Sequence, residues 1–415
     1  MPDSAHDQLD RVLKRERARI LSSLIRTCGG DFDLAEEALH DAVVAAATQW
    51  PRRGTPDAPD AWLLTTARHK AIDAIRHDIR KRRKLEELGA MSELTAHPKE
   101  TAPIPDDLLR LIFTCCHPAL NQEAQLALTL RTVVGMPTIE IARAFLVAEP
   151  TMAQRLVRAK KKIREARIPY RVPERREMPE RLEAVLFVVY LVFNEGYSAS
   201  SGEQIVRSEL CRHAVQVARV LADLMPEESE VLGLLSLMLL QDSRREARTD
   251  ASGELVLLHQ QDRRLWDQAQ IREGLAICRA AHEAQSVGAY AIQAAIAAVH
   301  ARAERSEDTD WTRIARLYER LLIARPTPVV ALNHAVASAM AHGPDEGLRL
   351  TDALRDDLED YGPFQAARAD FFRTTSRWRE AASAYERAIA LATNDPERRF
   401  LERRLAEVRA NDTKA

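Results

Sequence analysis

The sequence predicts an all-α protein. Three observations predict it. Ala, Leu, Arg and Glu dominate, while glycine makes up only 14 of 415 residues, too few for a turn-rich β fold. Apolar residues recur at helical spacing through most of the chain, and β-branched runs are short. The interruptions between these helical stretches fall at proline and glycine, the residues that end helices.

The first helical stretch covers about residues 7–88. Within it, Asp33-Leu34-Ala35-Glu36-Glu37-Ala38-Leu39-His40-Asp41-Ala42-Val43 is an acid-fronted amphipathic helix. Early acids complement the positive end of a helix, and the same acids offer a docking face to a large partner. Pro51-Arg52-Arg53-Gly54-Thr55-Pro56-Asp57-Ala58-Pro59 is expected to be a loop. A Trp62-led helix follows from near Asp60, with Leu63, Ala67, Ala71 and Ala74 on its packed side and Arg68, Lys70 and Arg76 reaching outward. It ends in a basic run, Arg76-His77-Asp78-Ile79-Arg80-Lys81-Arg82-Arg83-Lys84. An exposed loop beside a basic helix is suited to holding an unstacked base.

Residues 89–107 are polar and carry Pro98, Pro103 and Pro105, and are expected to be a linker. Helices resume at Leu108. Gly135-Met136-Pro137-Thr138-Ile139-Glu140-Ile141-Ala142-Arg143-Ala144-Phe145-Leu146-Val147, with the helix that follows Ala148, has the pattern of a helix-turn-helix. The first helix is expected to bury Ile139, Ala142 and Leu146. Pro150 suits the first turn of the second helix, because its missing N–H has no partner there. Thr151, Gln154, Arg155 and Arg158 then share one polar face at i, i+3, i+4 and i+7, against Met152, Leu156 and Ala159 on the other. A recognition helix is built this way, with an apolar side that holds it and an exposed end that meets base edges and phosphates.

Charge supports the same reading. From Arg155 to Arg176 there are ten Lys/Arg and two acids, a one-signed strip that tracks phosphates. Residues 1–176 carry 30 Lys+Arg against 24 Asp+Glu, and the remainder 30 against 38. The chain therefore joins a basic half, of net +6, to an acidic half, of net −8. This points to a nucleic-acid end and a non-nucleic-acid end, which could attract each other.

These two modules resemble regions 2 and 4 of the extracytoplasmic-function sigma factors of the sigma-70 family, in order, over about residues 8–170. Phe113-Thr114-Cys115-Cys116-His117-Pro118-Ala119-Leu120, Phe145-Leu146-Val147 and Met152-Ala153-Gln154-Arg155-Leu156-Val157-Arg158-Ala159-Lys160 are similar to a subgroup with a C-terminal tetratricopeptide-like extension. Phe193-Asn194-Glu195-Gly196-Tyr197 and Asp262-Arg263 add to that likeness. The resemblance implies that Glu36, Glu37, His40 and Asp41 dock on the β′ clamp helices of core RNA polymerase. It implies that Asp60, Trp62, Arg68, Lys70, Arg76 and Arg80 open and read the −10 element of promoter DNA. It further implies that Glu149, Pro150, Thr151, Ala153, Gln154, Arg155, Arg158, Lys160, Lys161 and Lys162 read the −35 element. Val43 stands where many relatives have an aromatic residue. The implied division is region 2 over 1–88, a linker over 89–107, region 4 over 108–170 and a tetratricopeptide-like regulatory domain over 171–415.

Downstream of the break Ile168-Pro169-Tyr170-Arg171-Val172-Pro173, the helical pattern continues from Pro179, with breaks near Gly196, Pro226, Gly253, Gly288, Pro326, Gly343 and Gly362. Arg377-Trp378-Arg379-Glu380-Ala381-Ala382-Ser383-Ala384-Tyr385-Glu386-Arg387-Ala388 and Leu317-Tyr318-Glu319-Arg320-Leu321-Leu322 suggest a repeat, because Tyr318 and Tyr385 stand two units of about 34 residues apart. Small alanines between large apolar residues suit closely stacked helix pairs.

Other chemistries find less support. The N-terminal segment lacks the apolar run of a signal peptide, the apolar stretches are too short to span a bilayer, and five scattered cysteines form no framework. A cytoplasmic protein is expected. Cys115-Cys116-His117 lacks a second ligand pair and is expected to be buried packing, its neighbouring cysteines pointing to different faces, so no metal or cofactor is expected. The segment from Asp242 to Asp250, with Glu254, Gln260, Gln261, Asp262 and Arg263, could line a polar pocket with Glu195 and Tyr197, although mixed charges more often pair on a surface. No phosphate-binding glycine loop or zinc-protease motif occurs, so the expected mechanism is binding and DNA deformation rather than bond chemistry. The alternative is a one-component helix-turn-helix regulator with a helical-repeat sensor, which would need neither an acidic docking helix nor a strand-opening helix.

Overall fold

The computed structural model describes residues 5–86, 104–145, 147–197, 208–250, 256–284, 286–392 and 395–413. Among them every regular element is a helix. The chain forms two compact units, residues 1–188 and 189–415, and each is taken by itself.

The first unit opens with α1 (Ala5–Thr27), α2 (Phe32–Arg53) and α3 (Pro59–Glu86), which pack pairwise. Asp31 caps α2, its carboxylate accepting from the N–H groups of Asp33 and Leu34. Leu21, Leu24, Ile25, Ala35, Ala42, Ala46, Leu63, Ala67 and Ala71 are buried between them. Ala74, expected on the packed side of α3, is exposed. The expected loop over 51–59 is shorter than its prolines suggested. α2 runs on through Pro51 to Arg53 and stops at Gly54, whose N–H bonds back to the Trp50 carbonyl; Pro51 costs α2 one hydrogen bond, one turn back, without ending it.

The expected linker lies mainly outside the described residues. Its last four residues instead open α4 (Ile104–Cys115), where Pro105 occupies the first turn without losing a hydrogen bond. After α4 come α5 (Gln122–Thr129), extended by a π turn over Leu130–Val134, then α6 (Thr138–Ala144) and α7 (Glu149–Glu165). Gly135 ends the π turn at φ +85, a left-handed conformation that a side chain would strain. α8 (Met178–Tyr197) follows, and the boundary between the units falls within it.

The second unit continues with α9 (Ser208–Leu224), α10 (Ser229–Asp242), α11 (Gln268–Glu283), α12 (Ala289–Arg302), α13 (Trp311–Ala324), α14 (Pro328–His342), α15 (Pro344–Asp352), α16 (Arg355–Leu358), α17 (Gly362–Thr374), α18 (Trp378–Leu391) and α19 (Asp395–Asp412). From α9 onward most consecutive long helices pack on one another, the arrangement a stack of helix pairs requires. The breaks at Gly288, Pro326, Gly343 and Gly362 fall between helices or at their first residue, as their sequence signals indicated. α10 is almost wholly buried against α9, α11 and α12. A Cβ at Gly233 would lie 2.4 Å from the backbone nitrogen of Ala291, so the crossing of α10 and α12 demands glycine there. Among the described residues no helix is long and apolar enough to cross a membrane.

Candidate nucleic-acid and polymerase interfaces

The helix-turn-helix is formed by α6 and α7. Met152, Leu156, Ala159 and Ile163 seal one side of α7, as the spacing indicated for the first three. Among the described side chains of α6, Ile141 and Ala142 are buried, whereas Ile139 is 40% exposed. Two residues on a helix stand about 200° apart, so only one of the two isoleucines can face inward. Leu146 lies outside the described residues.

On the outer side of α7, Glu149, Pro150, Thr151, Ala153, Gln154, Arg158, Lys161 and Lys162 are exposed. Thr151, Gln154, Arg155, Arg158 and Lys162 line a groove of about 460 Å3 closed on its far side by Ala119, Leu120, Asn121 and Glu123. Arg155 is half-buried and pairs with Glu123 at 2.8 Å. The exposed cations near the end of α7 include Lys161, Lys162, Arg164 and Arg167; of these Lys161 sits 3.5 Å from Glu165.

Lys160 departs from this strip. Its side chain is only 12% exposed, and its Nζ donates to Glu36 Oε2 at 2.8 Å and to Asp33 Oδ1 at 3.0 Å on α2. A residue expected to touch DNA and a residue expected to dock polymerase are therefore bound to each other. The second oxygen of Glu36 is buried with no hydrogen-bond partner. Next along the same side of α2, Glu37, His40 and Asp41 are exposed, as is Val44, while Val43 is half-buried.

On α3, Asp60, Lys70, Arg76 and Arg80 are exposed. Arg76 lies 3.8 Å from Asp73, and Arg80 folds its Nε onto the carbonyl of Arg76. Arg68 does not reach outward. It is half-buried and donates to Ser23 Oγ of α1 at 2.8 Å. Trp62 is half-buried against the edge of Trp50, ring centroids 5.7 Å apart and planes at 70°. The basic side chains from Lys81 to Lys84 lie outside the described set.

Several residues that organise this unit carried no sequence signal. Asp107 is fully buried and accepts from Arg26 Nε at 2.8 and 3.0 Å and from Arg110 at 3.4 Å. The Tyr170 hydroxyl sits 2.9 Å from the carbonyl of Ser22 and 3.2 Å from that of Asp107, and burial drives its pKa well above the ordinary tyrosine value. Arg17 donates to the carbonyl of Arg131 at 3.2 Å. Burial, then the nearby Arg131 charge, lowers its pKa, and Glu36 partly offsets this. Arg181 donates to the carbonyl of Phe113 at 2.6 Å. The Asp107, Tyr170 and Arg17 bonds tie α1 to α4, to the stretch after α7 and to the π turn, and the Arg181 bond ties α8 to α4.

Cys115 and Cys116 are fully buried, as expected. Their sulfurs meet different partners, Thr132 and Thr129, on one continuous helical segment. Burial raises both thiol pKa values, that of Cys116 to about 11. His117 Nδ1 accepts from the N–H of Ala119.

A three-helix module with an acidic outer stripe, followed by a helix-turn-helix with a cationic outer strip, defines a helical DNA-binding protein that also offers a protein-docking face. Residues 13–82 match sigma-70 region 2 and residues 110–163 match sigma-70 region 4. The chain belongs to the sigma-70 family, as an extracytoplasmic-function-like sigma factor with a C-terminal extension. It thus binds core RNA polymerase and promoter DNA. Residues 181–282 match a family of unknown function, DUF6596. An uncharacterized protein of Rhizobium meliloti (strain 1021) is 42% identical over 97% of this chain and 96% of its own length.

Proposed function

We propose that three surfaces of the first unit carry promoter-specific initiation and that the second unit regulates them. Glu37, His40 and Asp41, with Glu36 at their rim, dock on the β′ clamp helices of core polymerase. Asp60, Trp62, Lys70, Arg76 and Arg80, beside the loop at 54–58, engage the −10 element, while Arg68 holds α3 on α1. Thr151, Gln154, Arg155, Arg158, Lys161 and Lys162 read the −35 element along the α7 groove. The exposed cationic face of α7, mounted on a sealed apolar face, carries this reading. The mechanism is binding and deformation of DNA, in the cytoplasm where polymerase works.

The Lys160 pair with Glu36 and Asp33 supports a closed resting form. Polymerase that engages Glu36, or a phosphate that engages Lys160, competes with this contact, so either partner favours opening. Run-off transcription with core polymerase and a genomic promoter pool tests the whole reading; a chain that leaves start-site choice unchanged refutes it. Ending the chain after Val188, where the first unit ends, tests the regulatory role, and unchanged promoter output would remove it.

A further inference from the structure

The second unit holds a cavity of about 190 Å3 between α10, α12 and α13, several times the volume share of one water. Its apolar wall is Leu237, Leu240, Leu258 and Ile296, with Ala297 and Ala301 leaving room on α12. Its polar wall is Gln241, Arg244, Gln293 and His300. Arg244 donates to Tyr197 Oη at 2.7 Å and pairs with no carboxylate among the described residues. Behind this wall stands more positive charge. Arg263 donates to the backbone carbonyls of His300 and Ala303 and lies over the Trp266 ring at 4.7 Å. Arg248 lies over the Tyr197 ring at 3.6 Å. Of the acids nearby, Asp242 is already taken by Arg245 and Gln270, and Asp308 and Glu307 act on Arg263.

Buried polar atoms without partners gather at the same place. His300 Nδ1, Arg263 Nε and Trp266 Nε1 are all buried and unbonded, and each such group costs free energy if left so. His300 is held neutral: burial, then the charges of Arg244 and Arg263, push its pKa down to about 4. A cavity with an apolar body, a guanidinium that no carboxylate of the described residues pairs with, and a neutral imidazole matches a small organic anion.

We infer that this cavity binds a small monocarboxylate with an apolar body, its carboxylate on Arg244 beside His300 and its body against Leu237, Leu240 and Ile296. All of its residues belong to the second unit.

Benzoate is the probe, titrated into the full chain by calorimetry, with benzyl alcohol as the neutral isostere. Saturable one-site binding of benzoate is expected, at least tenfold tighter than benzyl alcohol. Arg244→Gln is expected to weaken it at least tenfold, and Ala297→Leu, which fills the cavity, to abolish it. Bound benzoate also raises the His300 pKa from about 4 toward 6.5, read from its ring signals by NMR. This last readout and the isostere comparison use the wild-type chain, so they decide the matter even if a variant misfolds. Absence of saturable binding at millimolar benzoate, equal affinity for benzyl alcohol, an unmoved His300 or undiminished binding in both folded variants overturns the inference.

Discussion

Glu36→Gln removes one charge from the Lys160 contact and preserves its shape. The gross attraction at 2.8 Å is about 6 kcal/mol for an effective dielectric near 20. Most of it is offset by the desolvation of two largely buried groups, with Lys160 12% and Glu36 22% exposed. Asp33, 59% exposed, adds little. A net loss of about 1–2 kcal/mol follows for the closed form, or about 5–30-fold in its ratio to the open form. Glu36 is not expected to touch DNA, so the free chain should bind a −35 duplex more tightly, by up to that factor, if binding requires Lys160 to be released. Removing any acid also raises affinity through bulk charge, and Glu37→Gln, exposed and one residue away, controls for this. Fluorescence anisotropy at fixed salt measures all three proteins. Equal gains in the two variants would refute the closed-form reasoning.

Arg155→Ala should relax preference at one −35 position by about 1–3 kcal/mol, whereas Lys161→Ala should weaken all sequences alike and lower the salt slope by about one; competition among promoter variants distinguishes them. Arg26→Ala leaves the buried Asp107 carboxylate with only Arg110 and should cost about 3–5 kcal/mol of first-unit stability, read by urea denaturation. Gly233→Leu should destabilise the second unit by at least about 1–3 kcal/mol, because its Cβ meets backbone rather than a movable side chain. His300 has a folded pKa near 4 against 6.5 when unfolded, so the unfolded chain takes up the proton first. Its contribution is present above pH 6.5 and falls away by up to about 3 kcal/mol as pH drops toward 4. A His300→Asn chain should show a flatter stability profile across that window, and parallel profiles would discount the effect.

The fold class was legible because helical spacing, proline and glycine each act locally. α7 was legible for the same reason: seventeen residues give enough turns to fix which side is apolar, and Pro150 marks its start. α6 has seven residues, too few turns to choose between Ile139 and Ile141. Pro51 reads as a breaker in any window, yet its penalty is one lost hydrogen bond and a crowded carbonyl one turn back, and whether the packing of α2 outweighs it a window cannot show. Lys160 was placed with its neighbours because a lysine in a cationic run looks the same whether it faces solvent or an acid 124 positions away. Arg26, Asp107 and Tyr170 were missed on the same ground. Their partners are distant in sequence, and a buried aspartate at the edge of a polar stretch resembles the rest of that stretch.

Two charged contacts hold the first unit together, that of Asp107 with Arg26 and that of Lys160 with Glu36. They differ in strength. Asp107 is fully buried, with a guanidinium bonded to both of its oxygens and the Tyr170 hydroxyl near its carbonyl. That contact has no exchangeable substitute, since a partner's phosphate or carboxylate cannot replace an acid sealed from solvent. The Lys160 contact is partly open, and both of its sides have natural competitors: phosphate for the ammonium and a basic protein surface for Glu36. Ion pairs of this kind contribute little net free energy but respond steeply to charged partners. Opening should therefore begin at α7, where the two partners' own charges take over from the internal ones. The α1–α4 contact should yield later, when the gain from DNA and polymerase together exceeds what the buried pair holds.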